Sequence, residues 1–185
     1  MITYTPATTE QDLEAILVLQ RQNLRQFLTQ EERDEQGFLT ASYSLNFLRE
    51  MHEASAHIVA RDGETVVGYT LGLTPEFLPL DPVFASYLQA IQTMDWKGKP
   101  MLDYRPLIVG QLCVDKNYRG QGLVDGLYQA CRNHHAGSFD FLLSDVSSLN
   151  PRSFRAHQRV GFQPIAEFPD AFTGETWHIL VWDWA

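Results

Sequence analysis

Val114-Asp115-Lys116-Asn117-Tyr118-Arg119-Gly120-Gln121-Gly122-Leu123 is the stretch on which the fold turns. It leaves a strongly apolar run, Leu107 to Val114. It enters a segment whose Leu123, Val124, Leu127, Ala130 and Cys131 fall on one helical face, with Gly137 as a natural stop. Glycine permits left-handed dihedrals and close approach, so the loop between can turn several backbone N–H groups toward one point. Added to the positive end of the helix dipole, those groups form a receptor for phosphate oxygens. A phosphorylated ligand is therefore expected at this loop.

Working outward, Ile2 to Thr5 reads as a short strand, and Thr9-Glu10-Gln11-Asp12 as a capping box opening a helix through Leu13, Ile16 and Leu17. Residues 29–41 are polar and read as a loop, and a second helix follows around Leu45, Leu48 and Met51. His57–Ala60 and Thr65–Leu71 form a hairpin turning at Asp62-Gly63. Residues 74–104 are an insertion in which Asp81-Pro82 caps a helix with Val83, Phe84, Tyr87, Leu88 and Ile91 on one face. Past the glycine loop and its helix, Phe139–Val146 is a strand, Asn150-Pro151 starts a helix ending at Gly161, and Phe162–Phe168 and Thr176–Trp184 are the last strands. The expected fold is α/β: one domain over residues 1–185 with a mixed, mostly antiparallel sheet flanked by helices. The helical insertion precedes the fourth strand of that sheet.

Composition narrows the class. Hydrophobic content of 44% and charged content of 20% are globular values, which exclude wholesale disorder. No run approaches the roughly 18 apolar residues of a membrane span. Met1 to Pro6 has neither a basic n-region nor an apolar h-region, so a cytoplasmic protein with no membrane partner is expected. Cys113 and Cys131 lie in apolar-patterned segments and read as buried free thiols. A net charge of −9 argues against non-specific nucleic-acid binding. Between Lys116 and Arg159, however, six basic residues face only Asp125, Asp140 and Asp145, a local excess that coincides with the glycine loop. His134 and His135 are adjacent, and His52, His57 and His178 lack ligand spacing, so no metal is expected.

Two familiar phosphate motifs fit poorly. Gly120, Gly122 and Gly126 resemble a dinucleotide fingerprint, yet the first glycine stands six residues beyond Val114, whereas that turn lies tight against its strand. A P-loop would need Gly-Lys-Ser/Thr, which is absent.

Arg119-Gly120-Gln121-Gly122-Leu123-Val124 resembles the Arg/Gln-x-x-Gly-x-Gly/Ala signature of the GNAT superfamily of acyl-CoA-dependent N-acetyltransferases. Asn150-Pro151-Arg152-Ser153-Phe154-Arg155-Ala156-His157-Gln158-Arg159-Val160-Gly161-Phe162 resembles that superfamily's second signature. The specific motifs cover residues 107–168, which become the expected coenzyme-binding core. Val124 departs from the usual Gly or Ala, and His157 stands where many members carry tyrosine.

The resemblance implies acetyl-CoA, or a related short acyl-CoA, as co-substrate and direct transfer to a primary amine. The backbone of Gln121 to Val124 would hold the pyrophosphate, with Gly120 and Gly122 shaping the loop and Arg119 adding charge nearby. Leu112, Cys113 and Val114 would pair with pantetheine through their backbone and offer one N–H to the thioester oxygen. Asn150 would contact the coenzyme as well as cap its helix. His157 is the expected general acid for the departing sulfur, and Asp145 the expected acceptor of the amine proton. Acceptors range from small-molecule amines to peptide or protein amines, with Phe38, Phe77, Tyr87, Trp96 and Tyr104 as candidate pocket walls. A homodimer is compatible with this reading. Its main alternative is a non-catalytic acyl-CoA-binding sensor module, and a nicotinamide-dependent oxidoreductase is a more distant one.

Overall fold

In the computed structural model, which describes residues 1–184, the chain divides into two compact units. Met1–Leu73 and Val109–His135 form the first, Thr74–Ile108 and the described residues from 136 onward the second. One strand, β6 (Pro106–Val114), is shared by both.

The first unit begins with β1 (Ile2–Pro6) and α1 (Glu10–Asn23). Thr9 and Asp12 cap α1 reciprocally, as their spacing predicts. Asp12 also binds the Arg61 guanidinium at 2.5 Å. The segment read as a loop at 29–41 instead contains α2 (Gln30–Gln36). Its start is a second capping box, Thr29 with Glu32, a signal hidden because the segment has no apolar face. After α3 (Leu45–Ala54), the hairpin of β2 (Ile58–Asp62) and β3 (Thr65–Leu73) turns at Gly63, which has φ +58°. β2 pairs antiparallel with both β1 and β3. Every residue of β3 after Thr65 is buried. The unit's sheet runs β1-β2-β3-β6, and α5 (Leu123–His135) completes it.

A buried polar network fixes the middle of β6. Gln111 Oε1 accepts from Tyr69 Oη (2.7 Å) and Gln20 Nε2 (3.0 Å), while its own Nε2 donates to Ala41 O (2.8 Å). Gln20 Oε1 accepts from Tyr43 N (3.0 Å), and Tyr43 Oη donates to Gly110 O (2.9 Å). A satisfied network of this kind specifies one arrangement of strand, helix and loop, because an unpaired amide in the core would carry a large desolvation penalty.

Histidine imposes a pH limit on this unit. His57 is fully buried; its Nε2 donates to Leu48 O (3.1 Å) and its backbone N–H to His52 Nδ1 (3.0 Å). Loss of solvent, reinforced by neighbouring His52, drives its pKa down to about 3. An unfolded histidine titrates near ~6.5. Between these values the unfolded chain takes up a proton that the folded chain refuses, so this stabilisation is complete above the upper value and fades as pH falls. The stability gap between wild type and His57→Gln should narrow by about 2 kcal/mol from pH ~6.5 to ~5. Urea midpoints at the two pH values measure it.

In the second unit, Asp81 caps Pro82–Phe84, which leads into α4 (Ala85–Gln92) with Tyr87 and Ile91 buried, as the sequence indicates. A small hairpin not foreseen from the sequence follows, β4 (Asp95–Trp96) and β5 (Lys99–Pro100), turning through Lys97 (φ 47°) and Gly98 (φ 89°). Pro106–Ile108 of β6 pair in parallel with Phe141–Leu143 of β7 (Phe141–Ser147). α6 (Pro151–Val160) leads to β8 (Gln163–Pro169) and β9 (Thr176–Asp183), giving the order β6-β7-β9-β8. The β7–β9 and β8–β9 pairs are antiparallel. With β1 to β3 the sheet counts seven strands, the mixed and mostly antiparallel architecture expected.

Candidate active site

The coenzyme-binding core expected at 107–168 is distributed over both units, and each part has its own geometry. In the first unit, Asp115 N bonds Val67 O (2.9 Å), which fixes where β6 ends. Asp115 Oδ1 then accepts from Asn117 N (2.8 Å), and Tyr118 Oη reaches Asp62 Oδ2 (3.1 Å). Beyond this anchored corner the loop is open. Gly120 and Gly122 have φ +76° and +80°, and no neighbouring heavy atom lies within 4 Å of where a Cβ would stand at either. Gly126 N bonds Gly122 O (3.1 Å), so the helical ladder starts at Gly122. The first-turn N–H groups of a helix have no acceptor within it. Two left-handed glycines thus precede the N-terminus of a 13-residue helix, which is chemistry suited to a pyrophosphate.

Val124, the departure from the signature, is half-buried in that first turn. Gly126, the third glycine of the rejected dinucleotide reading, has a different reason to be glycine: a Cβ there would overlap the Tyr4 ring. Arg119 is a brace. Its Nε donates to Val114 O (3.1 Å), and its terminal nitrogens donate to Asn23 Oδ1 (2.5 Å) and Gln36 Oε1. The guanidinium therefore ties the loop to α1 and α2. Its charge still biases the neighbourhood toward anions, but its hydrogen-bonding geometry serves the protein.

Leu112 is half-buried, and Cys113 and Val114 are buried. Burial, opposed in part by Arg119, pushes the Cys113 thiol up to about 12. It stays protonated and cannot act as a thiolate nucleophile.

In the second unit, β-strand alternation assigns the candidate residues to faces. Ser144 points toward α6, where its hydroxyl meets His157 Nε2 at 3.0 Å. Asp145, next in the strand, points to the opposite face. His157 and Asp145 therefore do not share a site within this unit. The His157 ring is buried, its Nδ1 lies 2.8 Å from Ser153 O, and it packs edge-on to Phe162 with centroids 5.0 Å apart. A carbonyl oxygen only accepts, so Nδ1 carries the proton and Nε2 accepts from Ser144. Loss of solvent lowers the His157 pKa to about 4, leaving a neutral ring at physiological pH. Asn150 caps α6 as its sequence position indicates, its Oδ1 accepting from Ser153 N at 3.2 Å.

Asp145 is the strongly perturbed acid. It is half-buried as a residue, yet loss of solvent around its carboxyl raises its pKa to about 7, with the Asp170 carboxylate adding to the rise. An acid with that pKa is poised to exchange protons at neutral pH. Among the aromatic candidates, Trp96 and Tyr104 pack on Phe141 (6.4 and 5.3 Å between centroids) and Tyr87 packs on Phe168 (5.9 Å). Phe77 is buried, and Phe38, in the first unit, lies under the Arg25 guanidinium at 5.0 Å. The bracing by Arg119 and the pairing of Asp145 with its face of the sheet carry no local sequence signal; both arise from contacts between distant segments.

Residues 21–162 match the Acetyltransferase (GNAT) family. The chain belongs to the GNAT acetyltransferases, a family whose reaction is acyl transfer from acetyl-CoA. No curated protein matches the sequence. Among solved structures, the fold is similar to a chain of the NatC complex bound to Gag peptide and CoA (TM-score 0.67, 15% identity, covering 100% of this chain and 99% of that one). It is also similar to Arabidopsis thaliana NAA60 in complex with acetyl-CoA (TM-score 0.63, 16% identity, 99% of each chain). An acetyltransferase of the GNAT family from Streptococcus agalactiae is comparable (TM-score 0.64, 15% identity, covering 98% and 96%). At these identities the likeness is one of fold. Among the described residues, no helix is long and apolar enough to cross a membrane, and no three metal-ligating side chains converge.

Proposed function

We propose that this protein acetylates a primary amine by direct attack of the amine on acetyl-CoA, with Asp145 taking the amine's proton. The observation that carries the reading is the open loop at 120–122 feeding the N-terminus of α5, in a chain of this family. The loop fits the coenzyme: its glycines leave room for phosphate oxygens, and the amides of Gln121 to Val124 supply donors. Bound acetyl-CoA supplies an acyl group already activated as a thioester. The backbone of Leu112, Cys113 and Val114 orients the pantetheine arm, while the protonated Cys113 thiol takes no covalent part. Asp145 Oδ receives a proton from the acceptor's ammonium nitrogen and frees its lone pair. That pair forms the C–N bond, the C–S bond breaks, and the coenzyme leaves as a thiolate that takes up the second proton the nitrogen sheds.

His157 differs from the general acid expected of it. Both ring nitrogens are engaged inside the protein and the ring is neutral, so in this proposal it anchors α6 to β7. His157→Ala is expected to lose about 2–4 kcal/mol of stability, the range for removing a large, hydrogen-bonded core side chain. The turnover per folded molecule should stay close to wild type, which activity normalised to the folded fraction would measure.

The acceptor is a small-molecule amine or the amine of a peptide. The test is thiol release from acetyl-CoA across a panel of both, alongside thermal shift with acetyl-CoA. The sensor alternative is favoured by one observation, the lack of an available proton on His157. Stabilisation by acetyl-CoA without thiol release from any amine would select it. Stabilisation by NADH alone would overturn both.

A further inference from the structure

The face of the second unit that carries Asp145 holds a second polar group with nothing to bind. Register places Asp145 opposite Ile179, Ile179 opposite Ala166, and both Ser147 and Phe168 opposite Trp177. Paired residues of antiparallel strands share a face, so Asp145, Ile179 and Phe168 lie on one side. α4 covers that side, with Tyr87 against Phe168 and the insertion's Trp96 and Tyr104 against Phe141 further along. Tyr87 is 1% exposed, and its hydroxyl is buried without a hydrogen-bond partner. Asp145 is its electrostatic neighbour.

The carboxyl is equally under-served. No hydrogen bond from another residue reaches it among the described residues, and no cation offsets it. The charged group acting on it is a second carboxylate, Asp170, which is buried and accepts from Thr173 N and Thr173 Oγ1, both at 2.7 Å. The loop carrying Asp170 is tied to α4 by Ala171 N donating to Ser86 Oγ (2.9 Å). Buried polar groups are ordinarily satisfied, and an exception calls for a physical explanation. Here a phenol oxygen and a carboxylate, in a field made negative by Asp170, lack the same thing: a cationic group with several N–H donors.

We propose that Tyr87 Oη and the Asp145 carboxylate together form the receptor for the acceptor's ammonium group, and that Tyr87 is a specificity residue for primary amines. A primary ammonium carries three N–H donors. One is accepted by Tyr87 and one by Asp145, which then takes that proton: the N–H bond breaks, an O–H bond forms on the carboxyl, and the nitrogen keeps the electron pair. Two N–H groups remain, one still on Tyr87. The proposal rests on the amine-acetylating reading above.

The test is Tyr87→Phe, with spermidine, phenethylamine and an alanine-initiated tetrapeptide amide as probes. For whichever probe wild type acetylates, KM for the amine should rise at least tenfold while KM for acetyl-CoA stays within twofold. The thermal midpoint should hold or increase, since the substitution removes a hydroxyl that no protein group satisfies. A purely structural tyrosine predicts the reverse, a lower midpoint with an unaltered amine KM, and an amine KM unchanged within twofold overturns the proposal. If wild type binds acetyl-CoA yet releases thiol with none of the probes, the acyl-transfer reading itself fails, and the ammonium receptor with it.

Discussion

Asp145→Asn should reduce kcat/KM for the amine by about 10²–10³, within the usual contribution of a positioned general base. With wild type, kcat/KM climbs as the carboxyl ionises and levels off above its pKa of about 7. The amide cannot take a proton, so that inflection vanishes and the residual rate follows the amine's own ionisation toward higher pH. Stability should move the other way. A carboxyl whose folded pKa is raised contributes stability fully below its unfolded value near ~3.9, and that contribution is lost as pH rises through about 7. Asparagine has no such charge, so the variant should be at least as stable as wild type at pH 8. A folded, acetyl-CoA-binding variant with a collapsed rate is the expected outcome. Retention of the inflection near pH 7 would remove Asp145 from the mechanism.

Gly120→Val combined with Gly122→Val should weaken acetyl-CoA binding at least ~100-fold. Side-chain-bearing residues in left-handed backbone cost about 1–2 kcal/mol each, more when β-branched. The loop can escape that strain only by giving up the conformation its glycines hold at φ +76° and +80°. Open space at both positions means no clash with the core, so the unliganded thermal midpoint should change little. Wild type should gain ~2.7 kcal/mol from acetyl-CoA at one hundred times its Kd, by mass action on the native state, and the variant should gain almost none. Equal stabilisation of both proteins would show that the coenzyme binds elsewhere.

Nearly every element was readable from local pattern. Thr9 and Asp12 announced α1, Asp62-Gly63 the hairpin, and Asn150 and Gly161 the two ends of α6, because caps and turns depend on residues a few positions apart. α2 escaped because an exposed helix with polar residues all round shows no periodicity, although Thr29 and Glu32 carried its cap. The glycine loop was equally legible, since two glycines after an apolar strand mark left-handed turns locally. The chemical roles were less so. His157 and Asp145 looked like an acid and a base in sequence, and the alternation of β7 puts them on opposite faces. Arg119 read in sequence as a charge beside the loop, and its bracing bonds to Asn23 and Gln36 came only with the fold.

The amino-acid order alone thus determined the succession of helices and strands, the glycine loop, and the family. Those properties are written in short-range backbone preferences and spacings. Only the tertiary structure decided which titratable groups are desolvated and what they face: Asp145 raised toward neutrality beside Tyr87, His157 held neutral by Ser144 and Ser153. The reason is physical. A pKa and an unmet hydrogen bond belong to the dielectric and the neighbours around an atom, and those neighbours arrive from segments tens of residues away.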